Sequence, residues 1–219
     1  MIVVKLGGSL AGSPYLQSWL DALAEHGAGR VIIVPGGGLF ADSVRAAQTV
    51  QAFDNYAAHA MALLAMHQYG WMLRGLRPEL LLETNVDRLL LRMSAGRCMI
   101  WLPDLAQLDA AGIPAGWDIT SDSLAAWLAG QLRADALLMI KSAAIPPQAT
   151  LERLQHDGII DPAFAGYLQT SACRLHWLGP EDSARLPELL NDSAPTTPRY
   201  TSARPNSPIP QYPPGFDER

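Results

Sequence analysis

Lysine is scarce in this chain: of 16 basic residues only Lys5 and Lys141 are lysines, and the rest are arginines. Where arginine is the default cation, a retained lysine marks a place that a broad guanidinium does not suit, because an ammonium is a compact point charge on a flexible stem. Both lysines come after apolar runs that read as buried strands, Met1–Val4 before Lys5 and Ala136–Ile140 before Lys141. They form a candidate functional pair able to neutralise charge on a reacting anion. Between them in sequence, Asp118-Ile-Thr-Ser-Asp122 sets two aspartates around a helix cap. Asp122 falls in the first helical turn, where the dipole favours a carboxylate, and beside two lysines it can hold their ammonium groups without quenching them. Asp118 lies outside the helix and is expected to face the loop side, where a ligand would lie.

The run Leu6-Gly7-Gly8-Ser9, directly after Lys5, sharpens the chemistry around that lysine. Ser13 and Pro14 then open a helix whose apolar stripe is Leu16, Trp19, Leu20 and Leu23. A second strand, Arg30–Val34, runs through Pro35-Gly36-Gly37-Gly38 into a helix near Leu39. Strand–glycine–helix edges expose backbone N–H groups and a positive helix end, which together make a phosphate cradle. Two such edges are expected side by side on one sheet. Gly36 to Ala41 also fits the loose dinucleotide pattern G-x-G-x-x-A, but the chain from Asp54 to Leu76 reads as a long helix where that pattern needs a second strand ending in an acid. No Walker A lysine comes after a glycine loop either. On the long helix, His59 and Asp54 are candidates to line a pocket, and its methionine-rich face reads mainly as packing.

The elements that must position these residues alternate. After the long helix come a short apolar run Leu80–Leu82, a helix from about Asn85 to Met93, a strand Arg97–Leu102 and a short helix around Leu105 and Leu108. Thr120 or Ser121 caps the next helix, with Leu124, Trp127, Leu128 and Leu132 as its buried stripe. Beyond Lys141, Thr150 caps a helix ending at Gly158, Asp161-Pro162 starts another, and Arg174–Leu178 and Glu181–Leu190 read as a last strand and helix. Strands and helices alternating without hairpin signals predict an α/β fold with a mostly parallel central sheet and helices on both faces, a three-layer architecture.

Composition narrows the function classes. The formal net charge of −5 and the lack of a basic stripe argue against nucleic acid as a partner. No apolar run approaches 18 residues and no positive segment precedes the first strand, so a soluble, cytoplasmic, non-membrane protein is expected. Cys98 and Cys173 are isolated and read as ordinary thiols, with no metal-ligand spacing. A single domain is expected over residues 1–193, with a proline-rich tail, 194–219, that reads as extended or disordered.

Lys5-Leu-Gly-Gly-Ser9, Gly36-Gly-Gly38 and Asp118-Ile-Thr-Ser-Asp122, in that order and spacing, resemble the amino acid kinase superfamily, over roughly residues 1–190. The resemblance implies an ATP-dependent kinase with Mg²⁺ and a small-molecule acceptor, built as an acceptor half (about 1–116) and a nucleotide half (about 117–193), and assembled as a homo-oligomer. It implies catalytic roles for Lys5, Asp122 and Lys141, phosphate or ATP contacts at Gly7, Gly8, Ser9 and Ser142, and acceptor contacts at Gly36, Gly37, Gly38, Asp118 and Thr120. The protein itself supplies no metal ligands in that scheme. Many members carry a Thr-Asp-x-x-Gly run where this chain has Lys141-Ser-Ala-Ala-Ile145, and no lysine comes after Lys141, so the second cation implied is Lys141 itself. Within the superfamily, the run from Trp117 to Ser123 and the short chain are most similar to aminomethylfuran phosphate kinases of methanofuran-type cofactor biosynthesis, which convert a phosphate monoester to a diphosphate. Asp118 stands where acetylglutamate kinases carry asparagine, and an aspartate suits a cationic group such as a primary amine. Two alternatives remain open: an amino acid or carbamate kinase that makes an acyl phosphate, and a non-catalytic nucleotide- or anion-binding member.

Overall fold

The protein is described by a computed structural model covering residues 1–143, 145, 146 and 148–192; the tail expected from residue 194 lies outside the described residues. Six strands, β1 (Ile2–Leu6), β2 (Val31–Pro35), β3 (Leu80–Glu83), β4 (Cys98–Trp101), β5 (Ala136–Ile140) and β6 (Arg174–Leu178), form one sheet in the order β3-β4-β2-β1-β5-β6. Every pairing is parallel. Central strands β1, β2 and β5 are buried along their whole length, as expected of continuous Val/Ile/Leu-rich runs covered on both faces. The helices are α1 (Leu16–His26), α2 (Gly38–Gln51), α3 (Asn55–Leu76), α4 (Val86–Ser94), α5 (Leu105–Ala110), α6 (Ser121–Gln131), α7 (Leu151–His156), α8 (Phe164–Ser171) and α9 (Leu186–Asp192).

The sheet register settles which way the lysines point. Lys5 pairs with Met139 across β1 and β5, and Lys141 is two residues beyond Met139. Side chains alternate along a strand, so both lysines project to the same face. That face carries Val3, Leu137 and Met139, packed with Leu124 and Leu128 of α6, Leu89 of α4 and Phe164 of α8. The opposite face carries Val4, Leu6, Leu138 and Ile140, packed with α1, α9 and the second half of α3. Since β1 leads to β2 on one side while β5 lies on the other, the C-terminal end of β1 is the topological switch point, where a parallel sheet leaves a crevice.

Two boundaries differ from the sequence expectation. A 3-10 turn, Gly8–Gly12, separates the first glycine pair from α1, which begins only at Leu16. Ser13, preceding Pro14, is extended at φ −90°, ψ 141°, because a proline disfavours the helical region for the residue before it. The final helix is likewise split into a 3-10 turn, Asp182–Arg185, and α9, with Pro187 in the first turn of α9, where its missing N–H is tolerated.

Candidate active site

At the switch point, Asp122 is the hub. Its Oδ1 lies 2.8 Å from Lys5 Nζ and its Oδ2 2.7 Å from Lys141 Nζ. Lys5 and Asp122 are each only 5% exposed. Burial alone would raise the carboxyl of Asp122, but the two ammonium groups outweigh it and hold the group below its ordinary range. Burial, and after it the charge of Lys5, pushes Lys141 down to about 8 against the opposing pull of Asp122. A second bond, 2.7 Å to the carbonyl of Ile159, fixes the Lys141 ammonium in place. Two ammonium groups sharing one carboxylate leave unneutralised positive charge in a dry site, where it acts strongly on an incoming anion.

The glycine turns pack backbone against backbone beside this hub. A Cβ on Gly8 would collide with the nitrogen of Gly38, and one on Gly36 with the nitrogen of Gly8. Gly38 also needs its positive φ of 52°. The N–H of Gly7 is spent on the carbonyl of Ile140 (3.0 Å) and that of Gly36 on Leu6 (2.9 Å), so these two brace the turns. The N–H groups left without intrahelical acceptors belong to Gly8 and Ser9 at the start of the 3-10 turn and to Gly38, Leu39 and Phe40 at the start of α2. Ser9 Oγ donates to Ser142 Oγ at 2.8 Å, tying the two lysine-bearing strand ends together above the sheet.

Outward from the cradle opens a cavity of about 470 Å³. Lys5, Gly8, Ser9 and Gly36 to Gly38 line its inner end, and Thr120 and Ser121 one side. α3 adds His59, Ala62, Leu63 and Met66 to the lining. At the rim, Arg45 stacks over Trp117 at 4.1 Å from the ring centroid, with Asp42 3.2 Å away, and Trp117 is fixed by a 2.7 Å bond to Gln48. Asp118 does not join them. It is exposed, does not line the cavity, and contributes its backbone carbonyl to Ala163. Asp54 is used as the N-cap of α3, accepting from the N–H of Ala57.

Two residues, Asp161 and Arg45, take parts that the sequence does not disclose, and His59, a candidate to line a pocket, does line the cavity. Asp161 is buried and accepts from Thr120 N (2.8 Å), Thr120 Oγ1 (2.8 Å), Ser123 N (3.0 Å) and Ser123 Oγ. It therefore caps α6 from a distant loop, although Asp-Pro before a helix reads as the start of that helix. Arg45 looks like one more surface arginine on α2 until Trp117 is folded under it. His59 is 5% exposed, and its Nε2 is buried with no hydrogen-bond partner among the described residues. Burial pushes its ring below the ordinary histidine range, opposed by the Gly116 backbone and Asp109. Among the described residues no group of three or more acidic, histidine or cysteine side chains could hold a metal ion.

Comparison with known proteins agrees with this geometry. Residues 1–144, about two-thirds of the chain, match the family model described as amino acid kinase family. The chain belongs to the amino acid kinase family. A relative in Methanocaldococcus jannaschii, (5-(aminomethyl)furan-3-yl)methyl phosphate kinase, is 30% identical over 130 residues, which is 58% of this chain. The match spans 59% of that relative's length. Among solved structures, uridylate kinase from Archaeoglobus fulgidus superposes with a TM-score of 0.63 at 15% identity, covering 88% of this chain and 94% of that one. The isopentenyl phosphate kinase of T. acidophilum does so with a TM-score of 0.56 at 13% identity, covering 86% and 95%. These two share the fold, with its three-layer parallel-sheet architecture. In family terms, the Lys5–Asp122–Lys141 hub and the paired glycine turns occupy the crevice of an amino acid kinase fold.

Proposed function

We propose that this member of the family is an ATP-dependent phosphotransferase that converts a small phosphate monoester to a diphosphate, with aminomethylfuran methyl phosphate as its acceptor. The observation that carries the reading is the buried hub, in which one carboxylate holds two lysines at the mouth of two glycine turns. In the reaction an acceptor phosphate oxygen forms a bond to the γ-phosphorus of ATP while the bond from that phosphorus to the ADP oxygen breaks. Little covalent chemistry is asked of the protein; it must align two anions and neutralise the charge between them. Lys5 and Lys141 supply the cations, and Asp122 keeps both at fixed positions. The free N–H groups of Gly8, Gly38 and Leu39 point the cradle at phosphoryl oxygens. Ser9 and Thr120 line the cavity and Ser142 accepts from Ser9, which supports phosphate contacts for these hydroxyls. Mg²⁺, where it serves, would draw its ligands largely from phosphate oxygens and water, and would offset charge on the ATP phosphates.

A dianionic acceptor is favoured by the cations at both ends of the cavity, Lys5 within and Arg45 at the rim. The acceptor half, about 1–116, builds that cavity wall, and the nucleotide half, about 117–193, brings Asp122 and Lys141. The carboxylate available to an acceptor amine at the rim is Asp42, since Asp118 stands outside. A homo-oligomer is favoured by an exposed apolar face on α3, where Met61, Leu64 and Trp71 share one side. A cytoplasmic location agrees with the described helices, none of which is long and apolar enough to cross a membrane.

The test is ADP release from Mg·ATP with four acceptors in parallel: aminomethylfuran methyl phosphate, acetylglutamate, uridine monophosphate and carbamate. Turnover on the furan phosphate is expected. Hydroxylamine-trappable product from acetylglutamate or carbamate would replace this reading with an acyl-phosphate kinase, and silence on all four from folded protein would replace it with a binding protein.

A further inference from the structure

The run Ile159-Ile160-Asp161, in the loop before α8, bonds to two parts of the hub at once. We propose that Asp161 is a positioning residue for phosphoryl transfer: by holding the first turn of α6 it sets where Asp122 stands between Lys5 and Lys141, while Ile159 on the same loop holds Lys141. This inference rests on the phosphotransferase reading of the same site, and it assigns the geometry of the hub to a side chain outside the cavity lining.

Three observations carry it. Asp161 is 7% exposed, and its two oxygens accept from Thr120 N at 2.8 Å, Thr120 Oγ1 at 2.8 Å, Ser123 N at 3.0 Å and Ser123 Oγ. Asp122 lies between those two residues, so its backbone cannot shift without loosening these bonds. Secondly, the helix gives up an ordinary cap to make them. A threonine N-cap satisfies a helix N–H without burying a charge, whereas a buried carboxylate is costly to desolvate. Here Thr120 Oγ1 stands 3.5 Å from the N–H of Asp122 and donates its own proton to Asp161. The added cost is accounted for if the place of the turn matters as well as its capping. Thirdly, the same loop reaches the second lysine. Lys141 Nζ donates to the carbonyl of Ile159 and to Asp122 Oδ2, each at 2.7 Å, and the N–H of Ala163 donates to the carbonyl of Asp118 at 3.1 Å. Residues 159–163 thus tie the start of α6 and Lys141 into one unit. Charge adds to the geometry. The charged groups that bear on Lys141 are Lys5 on β1, Asp122 on α6 and Asp161 before α8; burial and Lys5 lower its pKa, and Asp122 and, more weakly, Asp161 raise it. Neutralising Asp161 therefore pushes Lys141 further down, which the loss of a neutral cap would not do.

Because Lys5 and Lys141 are the only lysines of the chain, carbon-13 labelling at lysine Cε gives two side-chain signals whose titration reads the hub without turnover. The signal missing from Lys141→Arg is that of Lys141. These titrations, and ADP release from Mg·ATP with aminomethylfuran methyl phosphate, are compared in wild type, Asp161→Asn and Ser123→Ala. Asp161→Asn should lower kcat on the order of tenfold, the scale of a small misplacement of reacting groups, with acceptor KM held within about twofold. It should also move the Lys141 titration and the alkaline limb of kcat/KM below the wild-type value of about 8. Ser123→Ala removes one of the four bonds and keeps the charge. It should lower kcat by a smaller factor without moving the Lys141 titration, and it carries the test where the asparagine variant fails to fold. Asn85→Ala, which removes the N-cap of α4, should lower the melting temperature and leave kcat and both lysine signals as in wild type. Wild-type kcat in either folded variant, a raised acceptor KM in place of a lowered kcat, or a Lys141 titration unmoved by Asp161→Asn would overturn the inference. A Lys141 titration that moves as expected, in a protein that releases no ADP with any of the four acceptors above, would overturn the kinase reading alone.

Discussion

On the cradle side of the cavity, Asp122 is held between two ammonium groups at 2.7 and 2.8 Å, and Gly8 sits against Gly38 with no room for a Cβ. On α3, which also lines the cavity, His59 is buried to the same degree, beside the Gly116 backbone. Both sides contain polar groups removed from water, a situation that costs stability unless partners are supplied. On the cradle side each oxygen of Asp122 has an ammonium group of the same chain beside it. The α3 side of the lining is otherwise apolar, with Ala62, Leu63 and Met66. The difference teaches that the charged side of the site is preorganised by ion pairs and tight backbone contact, whereas the α3 side is shaped by packing.

The strongest break of this comparison is at Lys5. Lys5→Ala removes half of the positive charge that Asp122 positions, and turnover should fall on the order of a thousandfold, the scale of losing a preorganised electrostatic contact. Asp122 keeps Lys141 as its partner, so the melting temperature should move little by comparison. ADP release at wild-type rate would remove Lys5 from the mechanism.

Gly8→Ala attacks the cradle sterically. The new methyl group meets the Gly38 backbone, which cannot swing aside as a side-chain tip could. A loss of about 3 kcal/mol is expected, from the overpacking of a tight contact. Urea denaturation measures it, and an unchanged midpoint would show that the two turns are free to separate.

A gentler probe is pH. Lys141 carries its charge below about 8 and loses it above, so kcat/KM should decline on the alkaline side of that value, approaching tenfold per pH unit. Lys141→Arg should carry whatever activity remains without that limb. An alkaline limb that persists in the arginine variant would assign the titration to another group.

The smallest effect is expected at Asp118. Because its side chain is exposed and outside the cavity, Asp118→Asn should change acceptor KM by no more than about twofold, as for a surface substitution. A large rise in KM would bring Asp118 back into the acceptor site and Asp42 out of it.

Much of the cradle is legible in the residues. Apolar runs ending in Lys5 and Lys141 announce strands, glycines after Lys5 announce close backbone approach, and Thr120 beside Asp122 announces a capped helix start. Each of these is a local signal, read within a few positions of the residue concerned. The helical stripe Leu16, Trp19, Leu20 and Leu23 is legible for the same reason, and all four are buried. For Asp118 the local pattern gives a place before the helix but no direction, which depends on how the loop after α5 lies against α8. Asp161 reads as the start of its own helix because its partners, Thr120 and Ser123, are about 40 residues away in sequence. Arg45 becomes distinctive only when Trp117 lies beneath it.

The sequence by itself determined the elements, their order and the type of chemistry, since strand and helix periods, glycine turns and scarce lysines are local properties of the chain. Only the tertiary structure decided that Lys5 and Lys141 share Asp122. That outcome comes from the register between β1 and β5, which sends both side chains to the face where α6 begins. It also decided that His59 is buried beside the Gly116 backbone, because the surroundings of a buried polar group are a property of everything packed around it, and no stretch of sequence contains that information.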